Sequence, residues 1–474
     1  MAEAPPAAAG RPAAAPVLLA GAVAAAYATS FAGTFVFDDW PAVVRDPRVQ
    51  SLAAWWRSMP GIRPLLKLTY AANHQSGLGL TGFHAVNVAL HAANAVLAWA
   101  LLRRVGERAE PGSPATPAAA LLGALLFALH PVQVEAVTYV SGRSTALAAT
   151  FVLGSLLAWL RAPEGPRGRG ARAASLLLFA GALAVKEYPA VLPLALLLFV
   201  ALDRTAPSGW REAARRVGPH LALLAAGAAA ILASPTYRRL LGVGLGLRGP
   251  WENLLTQLRA AAWLTGQMVR PDRMVADPAL PAAAELTPAL AAAGLALAAA
   301  VAGGLLALRR RPALAFGLLW TLLWLAPTGW LVPRRDPASE RQLYLALLGP
   351  AWLLARGLAA AGPGRALRRA AAVALPLALG AATAARNLVY RDEVTYWADA
   401  AAKVPGNARA WNNLGHALAC ACRRDEAEAA LVRAIALDPD GYRAAVNLSL
   451  LRAGEALGPD GEGLCPPPAP AAAR

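Results

Sequence analysis

Two adjacent carboxylates stand where an apolar segment ends, in the stretch FVFDDW at residues 35–40. The apolar segment begins near residue 16 and runs directly into Asp38 and Asp39. A boundary between membrane and water needs only one polar residue, and two neighbouring acids repel each other. The pair is therefore either a polar helix end or a place where a carboxylate accepts a proton from a substrate.

Three further groups of ionisable residues interrupt apolar stretches. Charged side chains near membrane depth are costly, so they usually face an internal cavity or a pathway. Several cations and carboxylates in one cavity suit an anionic, lipid-linked substrate, because cations can hold its phosphate while a carboxylate activates an acceptor. The candidate residues for binding donor phosphate or substrate are His130, Glu135, Arg143, Lys186, Glu187, Glu340 and Arg341.

Each of these groups also has a purely structural interpretation, which the residues alone leave open. A histidine before proline can end a helix, and opposite charges can neutralise each other without any ligand. These alternatives are a helix end at His130, a buried pair of Glu135 with Arg143, a turn pair of Lys186 with Glu187, and an interface pair of Glu340 with Arg341.

Motifs for nucleotide or metal chemistry are missing from the sequence. It contains no glycine-rich phosphate loop after a strand, no HExxH and no GxSxG. The three cysteines, Cys420, Cys422 and Cys465, form no CxxC pair, and no set of metal-ligating residues is indicated. No cofactor is therefore required, although a divalent metal ion stays an open alternative.

The composition is that of a membrane protein with many spans. Hydrophobic residues make up 57% of the 474 residues and charged residues only 15%, against about 25% in ordinary soluble domains. Much of the arginine behind the net charge of +17 stands between apolar blocks. Cytoplasmic loops favour such residues and anionic lipids attract them, so the charge does not indicate nucleic-acid binding.

Eleven apolar blocks are long enough to predict membrane spans. Basic clusters follow every second block, which places those loops in the cytoplasm and all the candidate site residues on the outer face. Block 251–270 is too polar to span and is predicted to be interfacial or re-entrant. The predicted spans are approximately 16–36, 82–102, 118–136, 143–160, 172–185, 187–202, 217–234, 286–308, 312–331, 342–360 and 366–385.

After Arg386 the sequence becomes soluble in character and fits a 34-residue helix–turn–helix repeat. One complete repeat between two halves is predicted within residues 387–457, on the outer side of the membrane. The predicted domains are a disordered N-terminus at 1–15, a membrane domain at 16–386, the repeats, and a disordered tail at 458–474. The residues at the repeat's spacings are Trp411, Leu414, Gly415, Ala427, Ala434 and Pro439.

The ordered set of motifs resembles a known family. FVFDDWPAVVRDPRV, RPLLKLTYAANH, HPVQVEAVTYVSGRST, KEYP and ERQLY follow one another before the repeats. This order is similar to that of the transmembrane and tetratricopeptide-repeat (TMTC) protein O-mannosyltransferases and their bacterial relatives, within the GT-C glycosyltransferase superfamily. The resemblance implies an all-α, polytopic GT-C-like domain followed by a short tetratricopeptide-repeat array.

The resemblance also implies an activity. The family transfers a sugar from a polyprenyl phosphate donor to a Ser or Thr hydroxyl on the extracytoplasmic face, which for this chain implies a bacterial inner membrane. Asp38 or Asp39 would be the catalytic base, with Arg143, Lys186 and Arg341 at the phosphate and His74 and His84 near the cavity. A protein acceptor or a glycan would be the partner, together with membrane lipid and a protein bound by the repeats; nucleic acid is not implied.

Two departures from the family pattern keep other functions open. The motif GRAD reads GRST here, so a neutral residue replaces the acid that follows Arg143, and the repeat array is short. A non-enzymatic membrane scaffold with a degenerate GT-C core is therefore the main alternative. A lipid or polysaccharide transporter ranks third, because the predicted cytoplasmic loops are simple connectors.

Overall fold

A computed structural model describes residues 14–59, 61–162, 166–203, 210–326, 329–360 and 364–457. Within these ranges the regular structure is helical and no strand occurs, which confirms the all-α prediction. The tail predicted at 458–474 lies outside the described residues, as does the predicted N-terminal segment except for Ala14 and Ala15, which begin the first helix.

The first half of the chain forms the helices that carry the predicted site segments. Proline stands at the start of α3 and near the start of α5 and α9, where its missing N–H costs nothing. These helices are α1 (Ala14–Ala26), α2 (Leu52–Arg57), α3 (Pro64–Ser76), α4 (Gly79–Ala109), α5 (Thr116–Leu129), α6 (Val134–Val137), α7 (Arg143–Arg161), α8 (Arg169–Val185) and α9 (Leu192–Leu202).

The second half completes the apolar domain and adds four amphipathic helices at the C-terminus. The helices of the domain are α10 (Trp210–Ala233), α11 (Pro235–Leu245), α12 (Pro250–Gln267), α13 (Pro288–Ala307), α14 (Pro312–Leu325), α15 (Leu343–Ala346), α16 (Leu348–Ala359) and α17 (Arg365–Asn387). The C-terminal helices are α18 (Glu393–Lys403), α19 (Ala408–Cys420), α20 (Arg424–Leu437) and α21 (Tyr442–Ala453).

Seven helices in the described residues are long and apolar enough to cross a membrane, or eight if α5 and the bent segment after it form one span. The predicted polytopic architecture is confirmed, but the predicted count of eleven exceeds this number. Two of the remaining predicted spans correspond to the shorter apolar helices Tyr188–Leu202 and Pro312–Leu325. The third, 342–360, corresponds to the short helices α15 and α16, which are not among the helices long and apolar enough to cross a membrane. Helix α12 is not among the membrane-crossing helices.

A polar face of α4 fixes the segments around the candidate site. Asn87, His91 and Asn94 are spaced four and three residues apart and therefore share one face of the helix; all three are fully buried. Asn87 donates to the carbonyl oxygen of Val137 at 2.9 Å, and His91 Nδ1 lies 2.7 Å from the hydroxyl of Tyr344. This face joins the segment before α7 to α15, which are far apart in the sequence.

The four C-terminal helices pack in sequence, each against the next. A Cβ atom on Gly415 would lie 2.6 Å from Leu431 Cγ, so glycine lets α19 approach α20 closely. Ala427 and Ala434 are buried on α20. Small residues at these positions fit helix–turn–helix packing, and the assignment of this array to tetratricopeptide repeats stays a prediction.

Candidate functional site

The two adjacent acids occupy opposite environments. Asp39 is completely buried. Its Oδ1 accepts bonds from the backbone N–H and the hydroxyl of Ser141, at 2.6 and 2.5 Å, and its Oδ2 accepts from the N–H of Val36 at 3.2 Å. Burial raises the pKa of Asp39 to about 7, although these bonds partly oppose the shift. Asp39 therefore ties its loop to the segment before α7.

Asp38 is exposed at the surface and is the acid that a substrate can reach. Its backbone N–H donates to the hydroxyl of Tyr139 at 3.0 Å. Partial burial raises the pKa of the Asp38 carboxyl, while the charge of Arg341 acts in the opposite direction. A carboxylate with a raised pKa beside a cation is suited to accept a proton.

Arg341 is held by the buried carboxylate of Glu135. Arg341 Nε lies 2.9 Å from Glu135 Oε1, and the backbone N–H of Arg341 donates to Oε2 at 2.9 Å. The Ser339 hydroxyl donates to the same carboxylate at 2.7 Å. Although burial favours the neutral form, Glu135 keeps the pKa of Arg341 above its ordinary range. The Arg341 side chain retains 25% exposure, so it can still meet a ligand.

Lys186 lies between neutral hydroxyl groups. Its Nζ donates to Thr145 Oγ1 at 2.7 Å and to Ser144 Oγ at 3.2 Å. Within the described ranges no carboxylate lies at ion-pair distance from this amino group, and Glu187 instead pairs with Arg63 at 2.8 Å. Burial, together with repulsion by nearby arginines, lowers the pKa of Lys186 well below its ordinary value.

Four basic residues lie close enough for their charges to influence one another, namely Arg63, Lys186, Arg334 and Arg341. Arg63, Arg334 and Arg341 each act on Lys186 and disfavour its charge, and Arg341 also acts on Asp38. Glu187 and Glu135 neutralise Arg63 and Arg341 respectively. The cluster therefore keeps positive charge that an anion would stabilise.

Arg143 makes neutral contacts and is completely buried. Its Nε donates to Asn87 Oδ1 at 2.7 Å, and Nη2 donates to the carbonyl oxygen of Phe83 at 3.0 Å. Its guanidinium lies 5.0 Å from the ring centroid of Tyr70. These contacts fix the start of α7, so the geometry favours a structural role for Arg143 over contact with a phosphate.

The remaining candidates also have protein partners. Glu340 is buried and accepts from the backbone N–H of Val275 at 2.6 Å, with Arg386 3.9 Å away. Burial raises the pKa of Glu340. His130 accepts from the N–H of Val132 and lies 3.1 Å from the carbonyl oxygen of Met268, as at a helix end.

The two weaker histidine candidates have contact partners other than the two acids. His74 Nε2 lies 3.1 Å from the carbonyl oxygen of Val43. His84 is buried on α4, and its ring centroid is 6.2 Å from that of Phe31. Neither histidine forms an ion pair or hydrogen bond with Asp38 or Asp39 in the described residues.

Three charge pairings considered from the sequence are wrong. Glu135 pairs with Arg341 and not with Arg143, and Glu340 approaches Arg386 and not its neighbour Arg341. Lys186 and Glu187 do not neutralise each other, because the backbone turn between α8 and α9 sends their side chains to different partners. In each case the partner comes from another segment of the chain.

Sequence reasoning did not select several residues that contact the candidate site. Ser141 stands in the same SGR stretch as Arg143, and Arg63 begins the motif RPLLK, so a motif-based search could have included both. Tyr139 stands in the same quoted motif as Ser141, whereas Arg334 and Glu393 carry no comparable signal. Gly142 has a clear steric reason, because a Cβ atom there would collide with the carbonyl oxygen of Glu135.

Metal binding receives no support from the side chains. In the part of the chain that the structure describes, no group of three or more His, Cys, Asp or Glu residues could hold a metal ion. We therefore derive no chemical step through a metal.

The helices and this site define an all-α, polytopic membrane protein with a buried polar centre and a C-terminal helical array. Comparison with known proteins finds relatives that match about a third of this chain. Protein O-mannosyl-transferase TMTC4 of Homo sapiens is 34% identical over 195 residues, which cover 35% of this chain and 26% of the relative. Protein O-mannosyl-transferase TMTC1 of Homo sapiens is 34% identical over 168 residues, covering 32% of this chain and 18% of the relative.

A third relative, protein O-mannosyl-transferase Tmtc2 of Drosophila melanogaster, is 32% identical over 183 residues, covering 34% of this chain and 19% of the relative. The chain is therefore TMTC-like, as its motifs predicted. The matches span at most 26% of the length of these three relatives. No family model matches the chain, and no solved structure matches it.

Proposed function

We propose that this protein is a membrane glycosyltransferase that moves a hexose, with mannose as the first candidate, from a polyprenyl phosphate to a protein hydroxyl or a glycan. The observation that carries the proposal is the position of Arg341: its guanidinium lies 5.4 Å from the ring centroid of Tyr139, and the hydroxyl of Tyr139 accepts from the backbone N–H of Asp38 at 3.0 Å. The exposed carboxylate of Asp38 and the cluster of basic residues that includes Arg341 therefore lie close to each other. The names of the relatives support the choice of mannose and of a Ser or Thr acceptor.

Asp38 is the proposed catalytic base, and Asp39 is its positioning neighbour. Asp38 is exposed, whereas Asp39 is buried with both carboxylate oxygens engaged by N–H and O–H donors. A base must come within hydrogen-bond reach of the proton that it removes. Because Asp38 is exposed and Asp39 is buried, an acceptor hydroxyl can approach Asp38 from outside the protein.

Lys186, Arg341 and Arg334 are the proposed contacts to the donor phosphate, with Arg63 in support. Lys186 has hydroxyl partners and no paired carboxylate among the described residues. A charge-assisted contact to the phosphate becomes stronger as the leaving group gains charge in the transition state. Arg143, fully buried against neutral partners, is reassigned here to holding the start of α7.

The proposed step balances as a substitution at the anomeric carbon. The acceptor hydroxyl oxygen forms a bond to that carbon, and the bond from the carbon to the phosphate oxygen breaks. The electron pair of the broken bond stays on the phosphate, which the cations stabilise. The hydroxyl proton passes to Asp38 and leaves the site when the carboxyl exchanges it with water.

A purified chain in lipid nanodiscs tests the proposal. Polyprenyl phosphate mannose carrying labelled mannose is supplied together with a Ser- and Thr-containing peptide. Binding of the donor and appearance of label on the peptide are the expected results. If the chain binds no polyprenyl phosphate sugar and labels no peptide or glycan acceptor, the proposal is overturned.

One observation favours a second candidate, the non-enzymatic scaffold. The resemblance implies an acid after Arg143, and here Thr145 or its neighbour Ser144 takes that place; both hydroxyls accept from Lys186. A centre without this acid would be a degenerate one that no longer turns over. Donor binding without transfer to any acceptor would favour this candidate. Transfer that depends on Asp38 would exclude it.

The bacterial inner membrane, the outward orientation and partner binding by the repeats belong to the same proposal. Basic loops alternating with the candidate site segments support the orientation. A reporter fused after Leu451 tests it, because an extracytoplasmic signal is expected. A cytoplasmic signal would place the array on the opposite side from the proposed one.

A further inference from the structure

The loop that carries Asp38 and Asp39, called the acid loop below, contains a residue in an unfavourable backbone conformation. Phe37, directly before Asp38, has a φ of 48°. This left-handed region is uncommon for residues other than glycine, and a bulky side chain there needs support from its surroundings. The position of Asp38 therefore depends on whatever holds Phe37.

That support comes from α18, the first helix of the C-terminal array. Glu393 Oε1 accepts from the backbone N–H of Phe37 at 3.0 Å and from the indole Nε1–H of Trp40 at 3.2 Å. The ring of Phe37 also meets Trp397 edge-to-face, with centroids 5.2 Å apart. One carboxylate oxygen thus holds the residues on both sides of the Asp38–Asp39 pair.

Helix α18 has other attachments that fix its place without Glu393. Asp399 accepts from Arg386 Nη1 at 2.7 Å, and Lys403 donates to the carbonyl oxygen of Met274 at 2.7 Å. Asp392 caps the helix by accepting from the N–H of Thr395 at 2.7 Å. Removal of the Glu393 carboxylate is therefore expected to change the conformation of the acid loop while α18 stays in position.

We propose that Glu393 is a positioning residue for Asp38, so that the first helix of the array is part of the site. This inference rests on the proposed function for its catalytic consequence. Asp39 holds the loop on its membrane-domain side through Ser141, and Glu393 holds it on the array side. The Asp39 carboxylate accepts from Val36 and Ser141, whereas Glu393 accepts from both Phe37 and Trp40.

Three variants of the full chain test the role of Glu393. Glu393→Ala removes both acceptor contacts, whereas Glu393→Gln keeps an amide oxygen that can accept both. Glu428→Ala, which removes a carboxylate paired with Arg452 on the far side of the array, is the matched control. Hydrogen exchange of the peptide that covers residues 33–45 and sugar-transfer kinetics are measured for each variant.

Glu393→Ala is expected to exchange faster at the Phe37 amide and to lower kcat about tenfold or more through misplacement of the base. Its KM for the donor stays unchanged because the cation cluster is untouched. Glu393→Gln restores both properties, and Glu428→Ala behaves as the parent chain. Exchange in Glu393→Ala equal to that of the parent chain overturns the inference, as does an undiminished kcat. Absence of transfer by the parent chain instead refutes the proposed function, and the exchange data then decide the positioning role alone.

Discussion

The amino group of Lys186 lies 2.7 Å from the hydroxyl oxygen of Thr145. These two residues come from the turn after α8 and the first turn of α7, and the resemblance implies an acid at or next to the position of Thr145. Because a hydroxyl carries no charge, Thr145 does not compete with an anion for Lys186, and a bound anion would offset the burial and the nearby arginines that lower the pKa of Lys186. The neutral residue at this position gives Lys186 a hydroxyl partner in place of a carboxylate partner.

Thr145→Asp is predicted to weaken donor binding. A carboxylate at this position would pair with Lys186 and compete with the phosphate, so the Kd for polyprenyl phosphate mannose should rise about tenfold, or about 1.4 kcal/mol. Thr145→Asn, which is neutral and of similar size, serves as the control and should bind nearly as the parent chain does. Unchanged or tighter binding by Thr145→Asp would contradict the assignment of Lys186 to the phosphate.

Asp38→Asn is predicted to lower the rate of transfer, whereas Asp39→Asn is predicted to lower the stability of the fold. Asp38→Asn removes the proposed base and should lower kcat by about 10² to 10⁴, while donor binding and thermal stability remain. Asp39→Asn places an amide N–H₂ against donors from Ser141 or Val36, which costs about 1–3 kcal/mol and should lower the melting temperature. Equal kcat for Asp38→Asn and the parent chain would refute the proposed base.

The pH dependence of kcat/KM is predicted to be bell-shaped. The pKa values of Asp38 and Asp39 are raised, so as the pH falls the acids take up protons above the ordinary carboxyl range, and the rate declines. The pKa of Lys186 is lowered, so as the pH rises it loses its proton below the ordinary lysine range, and donor binding declines.

Lys186→Arg separates the two limbs of this profile. Arginine stays protonated throughout, so the alkaline limb should disappear while the acid limb persists. Measurement of kcat/KM between about pH 5 and 10 tests both limbs. An alkaline limb that persists in Lys186→Arg would assign it to another group.

Glu135→Gln is predicted to destabilise the fold. The substitution removes the charge that neutralises Arg341, and Glu135 keeps only 5% side-chain exposure. Breaking such a pair costs about 2–3 kcal/mol, below the value for a fully buried pair because Arg341 remains partly exposed. Thermal unfolding in detergent micelles is the measurement.

Glu107→Gln provides the comparison for this loss. Glu107 pairs with Arg103 on the exposed surface of α4, where an ion pair is worth about 0–1 kcal/mol. Its melting temperature should stay near that of the parent chain. Equal destabilisation by the two variants would contradict the prediction that the Glu135–Arg341 pair contributes more to stability than the exposed Glu107–Arg103 pair.

Much of the fold follows from local pattern. Long apolar blocks predict helices that cross a membrane. The polar face formed by Asn87, His91 and Asn94 on α4 was not predicted, although their spacing of four and three residues is visible in the sequence. The span count was less predictable, because some apolar blocks form helices shorter than a full span, such as Tyr188–Leu202 and Pro312–Leu325. Hydropathy averages over a window and does not fix the residues at which a helix begins and ends.

The site was predictable in its residue types and less so in its contacts. Of the residues that the motif order singled out, Arg341 influences the pKa of Asp38 and of Lys186, whereas Asp39 is held by Val36 and Ser141. The partner of Glu135, however, is 206 residues away in sequence. Neighbouring charges in a sequence suggest pairs, but in a bundle of helices the nearest opposite charge often comes from another helix.

The sequence by itself determined the all-helical, polytopic class, the resemblance to the TMTC family and the set of ionisable residues, because apolar periodicity and motif order are properties of the chain alone. Only the tertiary structure decided that Asp39 is buried while Asp38 is exposed, and that Glu393, 356 residues from Phe37, holds their loop. Adjacent residues have the same local sequence. Their burial and partners depend on which distant helices pack around them.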